Sequence, residues 1–285
     1  MELIWSQPGF KYCNEPLNLR NPYVRKYFGI TEWCDLFNCD TSSTLQSYFQ
    51  AFCDGRLRFK NPNPFNRYYR PITHRIVFKM IDGGWDRINW FRDTFNGRIV
   101  YLLRHPIAVS ISRKELPTLH ALLHSDYRRH FTNEQREYAQ RILASGSKLE
   151  RGVLSWCLQN MVPLREATDD WAIVSYEQMV LDPYPVIEYL TDKLQLPIPE
   201  RMIDRLTAPS GVRAKSNKET QQLLEKKDAD KRHRLVEKWR KEVDRAEERS
   251  AMQILERFQL DVYKFGDVLP ADWLWVNSRN PINGH

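Results

Sequence analysis

No stretch of the 285-residue sequence approaches the roughly 18 consecutive apolar residues of a membrane-spanning helix. The opening MELIWSQPGF also lacks the basic flank and apolar run of an export signal. These absences predict a soluble, cytoplasmic chain that does not work at a membrane. Cysteine is scarce, with Cys13, Cys34, Cys39, Cys53 and Cys157 making an odd set that contains no C-x-x-C pair. Zinc ribbons and thioredoxin-type motifs are therefore excluded, and no metal site is expected. Free thiols in a reducing compartment fit this usage, with one bridge among the four cysteines between 13 and 53 as the minor alternative. There is no internal repeat and no dominant run of like charge. No G-x-x-x-x-G-K-[ST] loop is present either, which removes the main signature of nucleoside and nucleotide kinases.

What is present is ordinary globular material, 42% hydrophobic and 28% charged, enough to bury a sizeable core. Lys and Arg outnumber Asp and Glu by 43 to 36, so the net charge of +7 mildly favours an anionic partner. Nine Trp, thirteen Tyr and thirteen Phe can fill a core or wall a cleft.

Three runs read as buried strands: Arg75 to Ile81, RIVYLLR at 98–104 and WAIVSY at 171–176. A shorter one in FKYCNEPL runs into a loop. Helical spacing is clear at 43–55, 87–95, 106–115, 118–131, 133–145, 148–167 and 183–196. Strand, ten-residue helix and strand, apolar on both strand faces, are the mark of a βαβ unit in a parallel sheet covered by helices. The fold class is α/β. Residues 217–260 are charged with an intermittent apolar stripe that includes Val236, Trp239, Met252 and Leu255, and read as one or two exposed helices packed on the outside.

In open parallel sheets, ligands bind at the carboxyl ends of the strands. Three sets fall there: Lys79 to Asp82, Arg104 to Pro106, and Tyr176 with Glu177. Arg104 ends a buried strand and Pro106 starts a helix, an arrangement suited to a phosphate. The competing reading pairs Arg104 with a carboxylate at the sheet edge. Ser110 and Ser112 lie about 200° apart around that helix, so only one faces a site reached by Arg104. Helix geometry alone does not choose between them.

VYLLRHPIAVSISR resembles the 3′-phosphate motif of sulfotransferases that use 3′-phosphoadenosine 5′-phosphosulfate (PAPS): a strand ending Leu-Arg-x-Pro, then a serine eight residues after the arginine. VSYEQMVLDPYPVIEYL is similar to the family's Tyr-Glu-Asp-Met segment, about 70 residues further on. QPGFKYCNEPLNL resembles the stretch after the family's first helix. The resemblance implies a single domain over 1–285, with a core over about 1–200, peripheral helices over 217–260 and a tail over 261–285. It implies a P-loop NTPase-like three-layer sandwich around a central parallel sheet. It also implies PAPS as co-substrate, PAP (adenosine 3′,5′-bisphosphate) as product, and transfer to a hydroxyl (or an amine) of a small-molecule, carbohydrate or lipid acceptor. Arg104 and Ser112 then hold the 3′-phosphate, which selects Ser112 over Ser110, and Tyr176 lies near the adenine. Arg213 and Lys215, in PSGVRAKSNKET, could close over that phosphate, with a solvated charged loop as the competing reading. The family's 5′-phosphosulfate turn, of Ser-Gly-Thr type, is not found in this sequence, and the expectation is a first strand and turn missing from the front.

Sulfuryl transfer needs a base for the acceptor's proton and a cation near the leaving group. The cytosolic branch uses a histidine two residues after the lysine that corresponds to Lys79, and here that position is Ile81. Other members use a Glu that Glu15 matches. Glu15 is therefore the expected base and Asp82 the second choice, with Lys79 as the cation. In the structural alternatives Glu15 only caps a turn and Lys79 only pairs with Asp82. Arg58, Lys60, Arg67 and Arg70 among the aromatics of 58–71 suggest an acceptor-side wall or a plain surface loop. Alternatives to an active enzyme are a kinase-like nucleotide binder, a fragment of the family without turnover, and a nucleic-acid-binding protein. The last has no recognisable motif, and no nucleic-acid partner is expected.

Overall fold

The computed structural model describes residues 2–38, 41–57, 72–114, 116–206 and 229–276. The apolar runs form four short strands. β1 (Phe10–Asn14) lies parallel to β2 (Arg75–Lys79), with Phe10 opposite Arg75 and Asn14 opposite Lys79. β3 (Val100–Leu103) lies parallel to β4 (Ala172–Ser175), with Val100 opposite Ala172 and Leu103 opposite Ser175. Among the described residues no ladder joins β2 to β3, so the expected central sheet is present as two parallel pairs.

The two pairs nevertheless share their layers. Along each strand alternate side chains enter two different cores. Cys13, Ile76, Phe78, Tyr101, Leu103 and Ile173 join the larger one, while Phe10, Val77, Val100, Ala172 and Val174 join the smaller. Both pairs thus present the same two faces to the same two helical layers, which is the three-layer arrangement of an α/β fold. The smaller layer is thin beside β3, where Leu102 is left 57% exposed.

β1 is preceded by α1 (Glu2–Trp5), and α2 (Pro22–Phe28), α3 (Trp33–Asn38) and α4 (Ser42–Cys53) lie between β1 and β2. α5 (Ile88–Phe95) leads to β3. Between β3 and β4 come α6 (Pro106–Ser112), α7 (Leu119–His124), α8 (Asn133–Ser145) and α9 (Lys148–Glu166). Reciprocal capping boxes start α8 at Thr132 with Gln135 and α9 at Ser147 with Glu150. The helix expected over 118–131 breaks instead, because the Ser125 hydroxyl accepts from the Tyr127 N–H and a 3₁₀ turn runs over Asp126–His130.

After β4 follow α10 (Tyr176–Leu181), α11 (Pro183–Leu194), α12 (Glu200–Leu206), α13 (Ala229–Val236) and α14 (Arg245–Arg257). The strand expected to reach Tyr176 stops one residue sooner, because Ser175 caps α10 by accepting from the Gln178 N–H at 3.2 Å. The region read as exposed helices is tied into the larger core by Val236, Trp239, Ala251, Ile254, Leu255 and Phe258. A 3₁₀ turn over Lys238–Lys241 resets the helical phase there, which is why the stripe looks intermittent in sequence. Residues 261–276, within the segment read as the tail, are tied down where Val276 exchanges both backbone hydrogen bonds with the Gln178 amide, at 2.8 and 2.5 Å.

Candidate active site

Each strand pair delivers one pair of side chains to its carboxyl end. Asn14 opposite Lys79 puts the next residue of β1, Glu15, beside Lys79. The Glu15 N–H donates to the Lys79 carbonyl at 2.8 Å, and the Lys79 Nζ to Glu15 Oε1 distance is 3.3 Å. Lys79 is thus paired with Glu15 and not with Asp82. Glu15 has a φ of +53°, a left-handed conformation that costs a non-glycine residue about 1 kcal/mol or more and recurs at functional sites. Buried Tyr48 secures the next peptide by donating to the Pro16 carbonyl at 2.8 Å.

Asp82 joins this pair from the loop after β2. That loop turns at Gly84, whose φ is +79° and where a Cβ would stand 2.8 Å from Met80 Cε. Burial first and the Glu15 charge second push the Asp82 carboxyl above its usual value, while Arg113 and a hydrogen bond from Asn18 pull it down. Asp82 Oδ2 has no hydrogen-bond partner among the described residues. Arg113, which the sequence did not single out, is half-buried directly after Ser112 and donates to Gln159 Oε1 at 2.9 Å. Burial lowers its pKa, opposed by the charge of Asp82.

The second pair follows the same rule. Leu103 opposite Ser175 sets Arg104 beside Tyr176, and the guanidinium carbon lies 4.5 Å from the Tyr176 ring centroid. Arg104 forms no ion pair among the described residues, and its Nε is buried without a partner, so the carboxylate-paired alternative is not observed. The peptide after Arg104 is held at both ends. Trp156 Nε1 donates to the Arg104 carbonyl at 3.1 Å, and the His105 N–H donates to Glu177 Oε1 at 2.9 Å.

His105 is not turned toward a ligand. Its ring stacks on Trp239 at 4.4 Å between centroids and meets Tyr263 edge-on. Burial holds its pKa down at about 3. Ser110 is buried and donates to the Pro106 carbonyl at 2.7 Å. Its Cβ would be 2.6 Å from any Cβ on Gly152 of α9. Ser112 is exposed, its hydroxyl resting on the Val109 carbonyl at 2.8 Å.

The structure therefore brings together Glu15, Lys79 and Asp82 as one cluster and Arg104 with Tyr176 as another, and α6 leads from the second to Arg113 beside the first. Arg213, Lys215 and the loop 58–71 lie outside the described residues. Cys13, Cys34, Cys53 and Cys157 are free thiols, with Cys39 outside the described residues. Among the described residues no group of three or more His, Cys, Asp or Glu side chains could hold a metal ion, and no helix is long and apolar enough to cross a membrane. Chemically, the first cluster offers carboxylates for a proton and a cation beside them. The second offers a guanidinium with an unused donor, backed by an aromatic face.

A family model described as "Sulfotransferase domain" matches residues 94–265, more than half of the chain. The matched span contains Arg104, Ser112, Arg113, Tyr176, Glu177 and Tyr263, while Glu15, Lys79 and Asp82 precede it. No curated protein and no solved structure matches the chain.

Proposed function

The chain belongs to the sulfotransferase domain family, and from that premise we propose that it moves a sulfuryl group from PAPS to a hydroxyl of a small-molecule, carbohydrate or lipid acceptor. The observation that carries this reading is Arg104, stacked on Tyr176 with its Nε unused at the strand ends. A fixed guanidinium with a free donor suits a phosphate dianion. Arg104 and exposed Ser112 would take the 3′-phosphate, with Tyr176 as the platform under the guanidinium.

Sulfuryl transfer has a loose transition state, so the protein's work is positioning and charge stabilisation. Glu15, with Asp82 as the alternative, would accept the acceptor's proton. Lys79 would face charge developing on the transferred group or the leaving oxygen. The 5′-phosphosulfate turn has no counterpart in this sequence.

Thermal unfolding with adenosine 3′,5′-bisphosphate, ATP and single-stranded DNA tests the reading. Stabilisation by the bisphosphate alone is expected, approaching about 3 kcal/mol at a hundredfold excess over its Kd. No response to the bisphosphate, or an equal response to ATP, would overturn it.

A further inference from the structure

Glu177 is 1% exposed in the first turn of α10, and the proposed chemistry gives it no role. A carboxylate so buried is costly unless its oxygens are satisfied. Both are: Oε1 accepts the His105 N–H at 2.9 Å and Oε2 accepts the Tyr263 hydroxyl at 2.8 Å. The first of these bonds holds the same peptide whose carbonyl, that of Arg104, is held by Trp156. With both its polar groups bonded to side chains of two different helices, this peptide plane cannot rotate without breaking a buried hydrogen bond. The plane sets the direction in which the Arg104 side chain leaves the strand. The Glu177 charge also reaches the guanidinium.

The second bond leads elsewhere. Tyr263 lies in the segment after α14, which is anchored by the Gly266 N–H donating to Glu248 Oε1 at 2.8 Å and by Val276 pairing with Gln178. Trp239, from the turn between α13 and α14, stacks on the same His105 ring that Tyr263 meets edge-on. Trp239 and Tyr263, both from the described residues 229–276, therefore pack against the peptide that follows Arg104. His105 is uncharged there, sparing Arg104 a like charge one residue away.

We propose that Glu177 is a positioning residue for the donor nucleotide: with Trp156 it fixes the Arg104–His105 peptide so that Arg104 is aimed at a 3′-phosphate, and Tyr263 makes that aim depend on the folded C-terminal segment. This rests on the nucleotide reading above. It predicts that selectivity for the 3′-phosphate is lost without loss of affinity for the rest of the nucleotide.

Calorimetric titration of the full chain with adenosine 3′,5′-bisphosphate and with adenosine 5′-phosphate tests it, alongside amide exchange at His105. The wild type should prefer the bisphosphate by roughly 10- to 100-fold, the worth of charge-assisted bonds to one phosphate. Tyr263→Phe should reduce that preference about fivefold or more, change adenosine 5′-phosphate affinity less than twofold, and speed exchange of the His105 amide. Glu177→Gln keeps an acceptor for the His105 N–H and should retain most of the preference, whereas Glu177→Ala should lose it. Should Glu177→Ala fail to fold, Tyr263→Phe decides alone. Variants that exchange faster or melt sooner yet keep the wild-type preference would overturn the positioning role. A wild type indifferent to the 3′-phosphate would instead remove the nucleotide reading on which the role depends. Unchanged His105 exchange in Tyr263→Phe, a result that needs no nucleotide, would show that the link to the C-terminal segment is absent.

Discussion

The guanidinium of Arg104 stands over the ring of Tyr176, 4.5 Å from its centroid, one register step beyond the Leu103–Ser175 pair of the β3–β4 ladder. Two residues 72 apart in sequence are thus neighbours because a parallel ladder makes them so. A cation over an aromatic face contributes about 0.5–2 kcal/mol depending on desolvation. Tyr176→Ala should therefore weaken binding of adenosine 3′,5′-bisphosphate by roughly 3- to 30-fold, while Tyr176→Phe, which keeps the face, should stay within about threefold. Titration calorimetry of the two variants gives the comparison.

Gly152 is tied to the choice between the two serines of α6. Ser110 is turned into α9, and an added Cβ on Gly152 would lie 2.6 Å from the Ser110 Cβ and 2.9 Å from its hydroxyl. Gly152→Ala should cost about 1–3 kcal/mol through overpacking, read as a lower midpoint in urea. Adding Ser110→Gly should recover part of the loss, whereas Ser110→Ala, which keeps the Cβ, should recover little.

The carboxylate pair makes a prediction about proton affinity. Glu15 raises the Asp82 pKa by like charge, so Glu15→Gln should move the Asp82 carboxyl down toward its ordinary value, measurable by carbon NMR titration. In the proposed chemistry the same substitution lowers turnover about 10²- to 10⁴-fold with donor affinity unchanged. An Asp82 titration that ignores Glu15→Gln would separate the two groups.

His105 gives the pH dependence a sign. Its pKa falls from 6.5 to about 3 on folding, because burial disfavours the charged ring. The unfolded chain then binds more protons between those values. This contribution to stability is complete above pH 6.5 and is lost progressively as pH falls toward 3, with a slope of up to about 1.4 kcal/mol per pH unit. His105→Phe keeps an aromatic ring against Trp239 and should flatten that slope relative to wild type in urea melts from pH 7 to pH 5.

Part of the candidate site lies at strand ends that are legible in sequence: Arg104 follows the apolar run that stops at Leu103, whereas the run read as a strand to Ile81 leaves the ladder at Lys79, two residues sooner. Glu15 was legible only through its resemblance to a family motif. Its contact with Lys79 comes from the register of two strands 60 residues apart, which local periodicity does not encode. Arg113 went unnoticed because half-burial beside Asp82 is a tertiary fact about a common surface residue. Glu177 was visible at a strand end without a role, since its two partners come from 72 residues earlier and 86 later. Trp239 belongs to the apolar stripe read over 217–260, and the 3₁₀ turn over Lys238–Lys241 is what interrupts that stripe.

The central claim is that Arg104 is a phosphate-binding group, and the most direct measurement is the ratio of affinities for adenosine 3′,5′-bisphosphate and adenosine 5′-phosphate, in wild type and in Arg104→Gln. A preference of about tenfold or more in wild type that falls to near unity in Arg104→Gln is the predicted result. Equal binding of the two nucleotides by wild type, or a preference that survives the substitution, would contradict it.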